Sequence, residues 1–138
     1  MASPAGKVCI VYTNHSLILR TARVAENVLV RWGWQVTMKP AENTRIPDLA
    51  PVDFILFGAE ESLSLPDSSY KELYRSMQGV NFAGRKGALF STSPSGIEAL
   101  RRMLEDSELS VARSPFLVQE DPTEQAVESW LRVVTGNP

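Results

Sequence analysis

The residues best suited to chemistry lie in three short polar stretches, each following an apolar run. Thr13-Asn14-His15-Ser16 follows "KVCIVY", Gly58-Ala59-Glu60-Glu61-Ser62 closes "DFILFGAEES", and Ser91-Thr92-Ser93 with Ser95 and Gly96 follows "GALF". Hydroxyls, an amide and main-chain N–H groups at a strand-to-helix turn are the materials of an anion site, because the first amides of a helix have no internal partner. The first turn lacks the glycine usual in such cradles. Two readings of it stand: phosphate capture by main-chain donors, with His15 adding charge when protonated, or a plain capped turn carrying a solvated histidine. Arg20, one helical turn on, either supports an anion or is an exposed helix arginine. Glu60 and Glu61 belong either to a ligand-facing or partner-facing acidic patch or to a solvated loop. Ser93 before Pro94 is already explained as a helix start.

Other chemistries are excluded by what is missing. One histidine and one cysteine cannot supply a zinc site of His and Cys ligands. No Gly-x-Ser-x-Gly elbow occurs, so a serine hydrolase is not indicated. Cys9 lies within an apolar run and is expected to be a small core residue rather than a redox thiol. The tryptophans Trp32, Trp34 and Trp130 fall at packing positions.

The elements that must position these stretches are short apolar runs alternating with amphipathic helices, the pattern of a parallel sheet covered on both faces. Lys7–Tyr12, Asp53–Gly58 and Gly87–Ser91 read as buried strands, and "WQVTMK" alternates like an edge strand. Ile18, Ala22, Ala25, Leu29 and Trp32 recur at helical spacing, and Gly33 ends that helix. "PAENTRIPDLAP" is expected to be a loop with at most one helical turn. Asp67 or Ser68 is expected to cap a helix with Tyr70, Leu73 and Met77 facing inward and Gly79 at its end. Ser93 and Pro94 open another, with Ile97, Leu100 and Leu104 inside. Asp121, Pro122 and Glu124 are expected to open the last, which buries Val127, Trp130, Leu131 and Val134. "LSVARSPFLVQ" reads as a strand broken at Pro115.

With 138 residues, the expectation is one domain over residues 1–138. A net charge of −2 and a pI of about 5.4 give no basic field for nucleic acid or an anionic membrane, so neither partner is expected. No apolar run approaches membrane-spanning length. The single cysteine and the lack of a signal-like start point to a cytoplasmic setting.

In order and spacing these segments resemble the flavodoxin family, in its short-chain form. "KVCIVYT" and "RVAENVLVRWGWQVTMK" are similar to the family's first strand, helix and second strand. "VDFILFGAEESLSLP" is similar to its third strand and loop. "VNFAGRKGALFSTS", Val80 to Ser93, resembles the Phe-x-Gly-Lys-Lys lead-in to the fourth strand, and "EDPTEQAVESWLRVV" the last helix. The resemblance implies an α/β fold: a three-layer α/β/α sandwich around a five-stranded parallel sheet of order 2-1-3-4-5. It implies non-covalent binding of flavin mononucleotide (FMN) at Thr13 to Ser16, Gly58 to Ser62 and Ser91 to Ser93 with Ser95 and Gly96. It also implies electron transfer to a redox partner protein by a monomer or weak dimer. Such a chain is a carrier rather than an enzyme, without metal or catalytic residues of its own. The family loop Ser/Thr-x-Thr-Gly-Asn-Thr is matched here only by Thr13, Asn14 and Ser16, and neither other loop holds an aromatic residue to stack on a flavin ring. The alternative is the same fold without FMN, acting as a protein-interaction or regulatory module. Receiver domains share the strand order, but their acidic residues and Lys-Pro pair are absent here.

Overall fold

The computed structural model describes residues 6–60, 69–77 and 79–136. Four strands form the body of the sheet: β1 Gly6–Tyr12, β2 Trp34–Pro40, β3 Phe54–Ala59 and β4 Lys86–Ser91. Two short segments, β5 Ser110–Val111 and β6 Phe116–Leu117, lie end to end along β4 in the fifth position. All pairings are parallel and the order is 2-1-3-4-5. The expected doubly covered sheet is thus present.

Side chains of a strand alternate between faces, and here both sets are apolar. From β1 and β3, Cys9, Val11, Ile55 and Phe57 enter one core with Leu49, Tyr70, Leu73, Leu100 and Met103. Val8, Ile10, Phe54 and Leu56 enter the other with Ile18, Ala22, Leu29, Trp130 and Leu131. Each fully buried leucine, isoleucine or phenylalanine contributes about 1.5–3 kcal/mol, enough to make three layers the stable solution. β2 keeps one wet edge, with Gln35 and Thr37 exposed.

Helices α1 Ser16–Arg31 and α5 Glu124–Thr135 cover the second core, whereas α2 Ile46–Leu49, α3 Lys71–Ser76 and α4 Pro94–Leu104 cover the first. The proline-rich connection after β2 holds a short turn at Ala41–Asn43 as well as α2, somewhat more structure than expected. Tyr70, Leu73 and Met77 are buried as anticipated, while the proposed caps Asp67 and Ser68 lie outside the described residues.

One helix start lies elsewhere than expected, and another lies as expected but without a side-chain cap. Thr123, not Asp121, caps α5, its hydroxyl accepting from the Ala126 amide at 3.1 Å. Asp121 is instead drawn to Arg20 on α1. Ser93 stands at the N-cap of α4, yet its hydroxyl meets that of Ser95 at 2.8 Å and caps no amide. The break in the fifth strand is as expected from Pro115: Val111 pairs with Gly87 and Phe116 with Phe90, so residues 112–115 stand opposite Ala88 and Leu89 alone.

Candidate functional site

Because every strand is parallel, the loops after β1, β3, β4 and β6 emerge at one edge of the sheet. The chain runs from β1 outward to β2 on one side and from β3 onward on the other. The crevice between β1 and β3 is therefore the topological switch point where ligands of such sheets bind. The predicted stretches meet there. Thr13, Asn14 and His15 lead into Ser16 at the start of α1; Gly58 and Ala59 end β3, with Glu60 next; Ser91 ends β4, and Thr92, Ser93, Ser95 and Gly96 carry the chain into α4. Glu61 and Ser62 lie outside the described residues.

α1 begins here because His15 is extended and its carbonyl accepts the Leu19 amide at 2.9 Å. His15 also caps the helix, Nδ1 accepting from the Leu17 amide at 3.3 Å. Of the four orphan amides, those of His15, Ser16 and Ile18 have no partner among the described residues. Sixteen helical residues stand behind them, adding the positive end of a helix dipole. This is the donor set an anion requires, and it fits the phosphate of a flavin nucleotide through the main chain.

The side chains contribute less than their types suggested. Thr13 is buried, and its hydroxyl donates to Glu60 Oε2 at 2.7 Å, joining the β1 and β3 loops across the switch point. Arg20 pairs with Asp121 at the surface. In the described parts of the three loops, His15 is the sole side chain able to carry positive charge.

Three of the named residues do structural work. Gly58 is small because Phe90 lies over it: an added Cβ would stand 2.2 Å from the ring. Gly96 lets α4 approach the sheet, since a Cβ there would lie 2.0 Å from Ser91 Oγ and 2.9 Å from the Glu60 carbonyl oxygen. Ser91 is wholly buried; its Oγ accepts the Ser93 amide at 3.2 Å and its carbonyl the Val118 amide at 2.8 Å.

Two features of this edge were only partly legible in the sequence. Tyr70 is buried beneath the crevice, its hydroxyl donating to the Gly58 carbonyl at 2.7 Å and lying 3.4 Å from that of Val11. Burial, and then the charge of Glu60, raise its phenol well above the ordinary range. The second is the loop after β6, where Phe116, Val118, Asp121, Pro122 and Thr123 line an open cavity of about 260 Å³. The Asp-Pro pair had marked this loop only as a helix start.

Among the described residues no cluster of His, Cys, Asp and Glu could hold a metal, and no helix is long and apolar enough to cross a membrane. Cys9 is fully buried, and burial pushes its thiol up to about 12.

Compared with known proteins, the sequence matches no family model and no curated protein. The fold, by contrast, is that of flavodoxins. The chain is similar to oxidised flavodoxin 2 from Bacillus cereus, with a TM-score of 0.81 at 16% identity, over 96% of this chain and 99% of that one. It is similar to a short-chain flavodoxin associated with a bacterial microcompartment, with a TM-score of 0.78 at 10% identity, over 94% and 95% of the two chains. It is similar to two-electron reduced Megasphaera elsdenii flavodoxin, with a TM-score of 0.71 at 24% identity, over 88% and 96%. The sheet of order 2-1-3-4-5 is thus flavodoxin-like along nearly the whole chain.

Proposed function

We propose that the chain is a flavodoxin-like electron carrier that binds FMN non-covalently at the face formed by the β1, β3 and β4 loops. The observation carrying this reading is the set of unpartnered amides of His15, Ser16 and Ile18 at the switch point of a flavodoxin-like sheet. FMN, when bound, supplies one-electron redox chemistry, and the protein supplies position and electrostatics. The α1 amides would hold the phosphate, with Asn14 and Ser16 able to add polar contacts. The main chain of Gly58 to Glu60 and Ser91 to Ser93 would border the ring. Without an aromatic residue in these described loops, ring binding forgoes the roughly 0.5–1.5 kcal/mol that stacking adds to area burial. The Glu60 carboxylate would disfavour an anionic reduced flavin. A weakly held flavin of low potential follows, with a redox partner protein meeting the same face.

The test is quenching of FMN fluorescence by micromolar protein, repeated with Ser16→Pro. Ser16 is the first residue of α1 and His15 before it is extended, with ψ of 133°. Proline is welcome at such a position and restricts its predecessor to that conformation. The substitution therefore removes one amide while leaving the helix intact by circular dichroism. Tenfold or greater weakening, about the worth of one charge-assisted hydrogen bond, is expected. Unchanged affinity would place the phosphate elsewhere, and wild-type protein that leaves the fluorescence untouched refutes the carrier reading.

A second reading is favoured by the Thr13–Glu60 hydrogen bond, which ties the two loops to each other instead of leaving them open to a ligand. On that reading the same face, without flavin, docks a protein.

A further inference from the structure

We infer that Glu60 sets the affinity of this face for a phosphate monoester and its discrimination between phosphorylated and unphosphorylated ligands. The inference rests on the reading of the α1 start as the phosphate end of a flavin site.

Thr13 offers a hydroxyl at the end of β1, with 3% of its surface exposed. A hydroxyl has one proton, and this one is given to Glu60 Oε2 at 2.7 Å. While it is so engaged, Thr13 can only accept, and an ionised phosphate is itself only an acceptor. The pairing thus removes the buried Thr13 hydroxyl, as a donor, from the phosphate's reach. It also fixes a carboxylate charge beside the turn. The described residues of the three loops provide no lysine or arginine to offset that charge, and Arg20 is occupied by Asp121. The Glu60 main chain is closely packed. Its carbonyl lies under α4, where an added Cβ at Gly96 would come within 2.9 Å of it.

Glu60→Gln changes two things in one direction. The side-chain amide can donate to Thr13 Oγ1, which turns the threonine proton toward the ligand. One negative charge is also lost. Together these favour a phosphate-bearing ligand by about tenfold or more, while a ligand with the same ring and no phosphate feels little change. Screening by salt reduces the part due to charge.

The experiment titrates FMN and riboflavin against wild type, Glu60→Gln, Thr13→Val and the double variant, following flavin fluorescence. Inorganic phosphate is titrated in parallel, following the amide proton and nitrogen shifts of Ser16 and Ile18. Expected are tighter FMN binding by Glu60→Gln, riboflavin affinity within about twofold of wild type, and partial loss of the gain in the double variant. Equal FMN affinity in wild type and Glu60→Gln, or an equal gain for riboflavin, overturns the assignment. If only Glu60→Gln binds FMN, the carrier reading of the native chain fails and the role of Glu60 stands. If neither binds flavin, the phosphate titration decides: a stronger response in Glu60→Gln supports the role, and equal responses overturn it.

Discussion

Replacing Gly58 by alanine tests whether the end of β3 is shaped by packing or by a ligand. The added methyl would lie 2.2 Å from two carbons of the Phe90 ring, where ordinary carbon contacts need about 3.5–4.0 Å. The ring must therefore retreat by more than 1 Å by this comparison. It has nowhere easy to go: Phe90 is fully buried and its ring meets Trp130 edge-on at 6.2 Å between centroids. Overpacking of a rigid core site costs about 1–3 kcal/mol, and this contact belongs at the upper end. With a urea dependence of about 2 kcal/mol per molar, the midpoint falls by about 1.5 M. The control is Phe90→Leu, which shortens the obstructing side chain. In a double-mutant cycle, Gly58→Ala combined with Phe90→Leu should cost at least about 1 kcal/mol less than the sum of the single changes. A Gly58→Ala loss below about 0.5 kcal/mol, or strict additivity with Phe90→Leu, would show that Phe90 does not dictate the glycine.

Tyr70→Phe leaves the Gly58 carbonyl without the phenol's hydrogen bond and should cost about 1–3 kcal/mol at neutral pH. It should also flatten the alkaline loss of stability. Tyr70 and Cys9 both keep their protons in the fold beyond the pH at which an unfolded chain releases them, near 10.0 and 9.0. The unfolded state then binds fewer protons, so their contribution is whole below about pH 9 and is lost as pH rises toward 12, by about 1.4 kcal/mol per pH unit for each group. Urea midpoints at pH 8 and 10.5 measure this, and equal slopes for wild type and Tyr70→Phe refute it. Trp130→Phe gives up the hydrogen bond from Nε1 to the Ser114 carbonyl at 2.7 Å and part of the contact with Phe116. A loss of about 1–2 kcal/mol, or several degrees in Tm, is expected, and an unchanged melting temperature would show that this tie is idle.

Legibility in the sequence followed the range of the interaction. The strands around Ile10, Leu56 and Leu89 were readable because an unbroken apolar run bounded by turns has few other uses. The start of α4 was readable from Pro94, whose fixed geometry is local. The start of α5 was misread because "EDPTEQ" holds two capping registers: the helix takes Thr123 as its cap, while Asp121 pairs with Arg20, 101 residues away in sequence. The site shows the same limit. That Thr13 and Glu60 would stand on neighbouring loops followed from strand order, but that each would occupy the other is a contact across 47 residues between two ordinary polar side chains. Gly58 and Gly96 were noticed as loop glycines; the ring and the helix that require them appear only in three dimensions.

The interrupted fifth strand has a consequence for association. An outermost strand with a continuous row of free amides and carbonyls is a template on which another chain can lay a strand of its own. Here that row is cut into two segments of two residues, parted by four residues that include a proline unable to donate. An incoming strand would find no register longer than a single step. The same break that shortens the sheet guards this border against open-ended stacking of copies, a liability that grows with protein concentration.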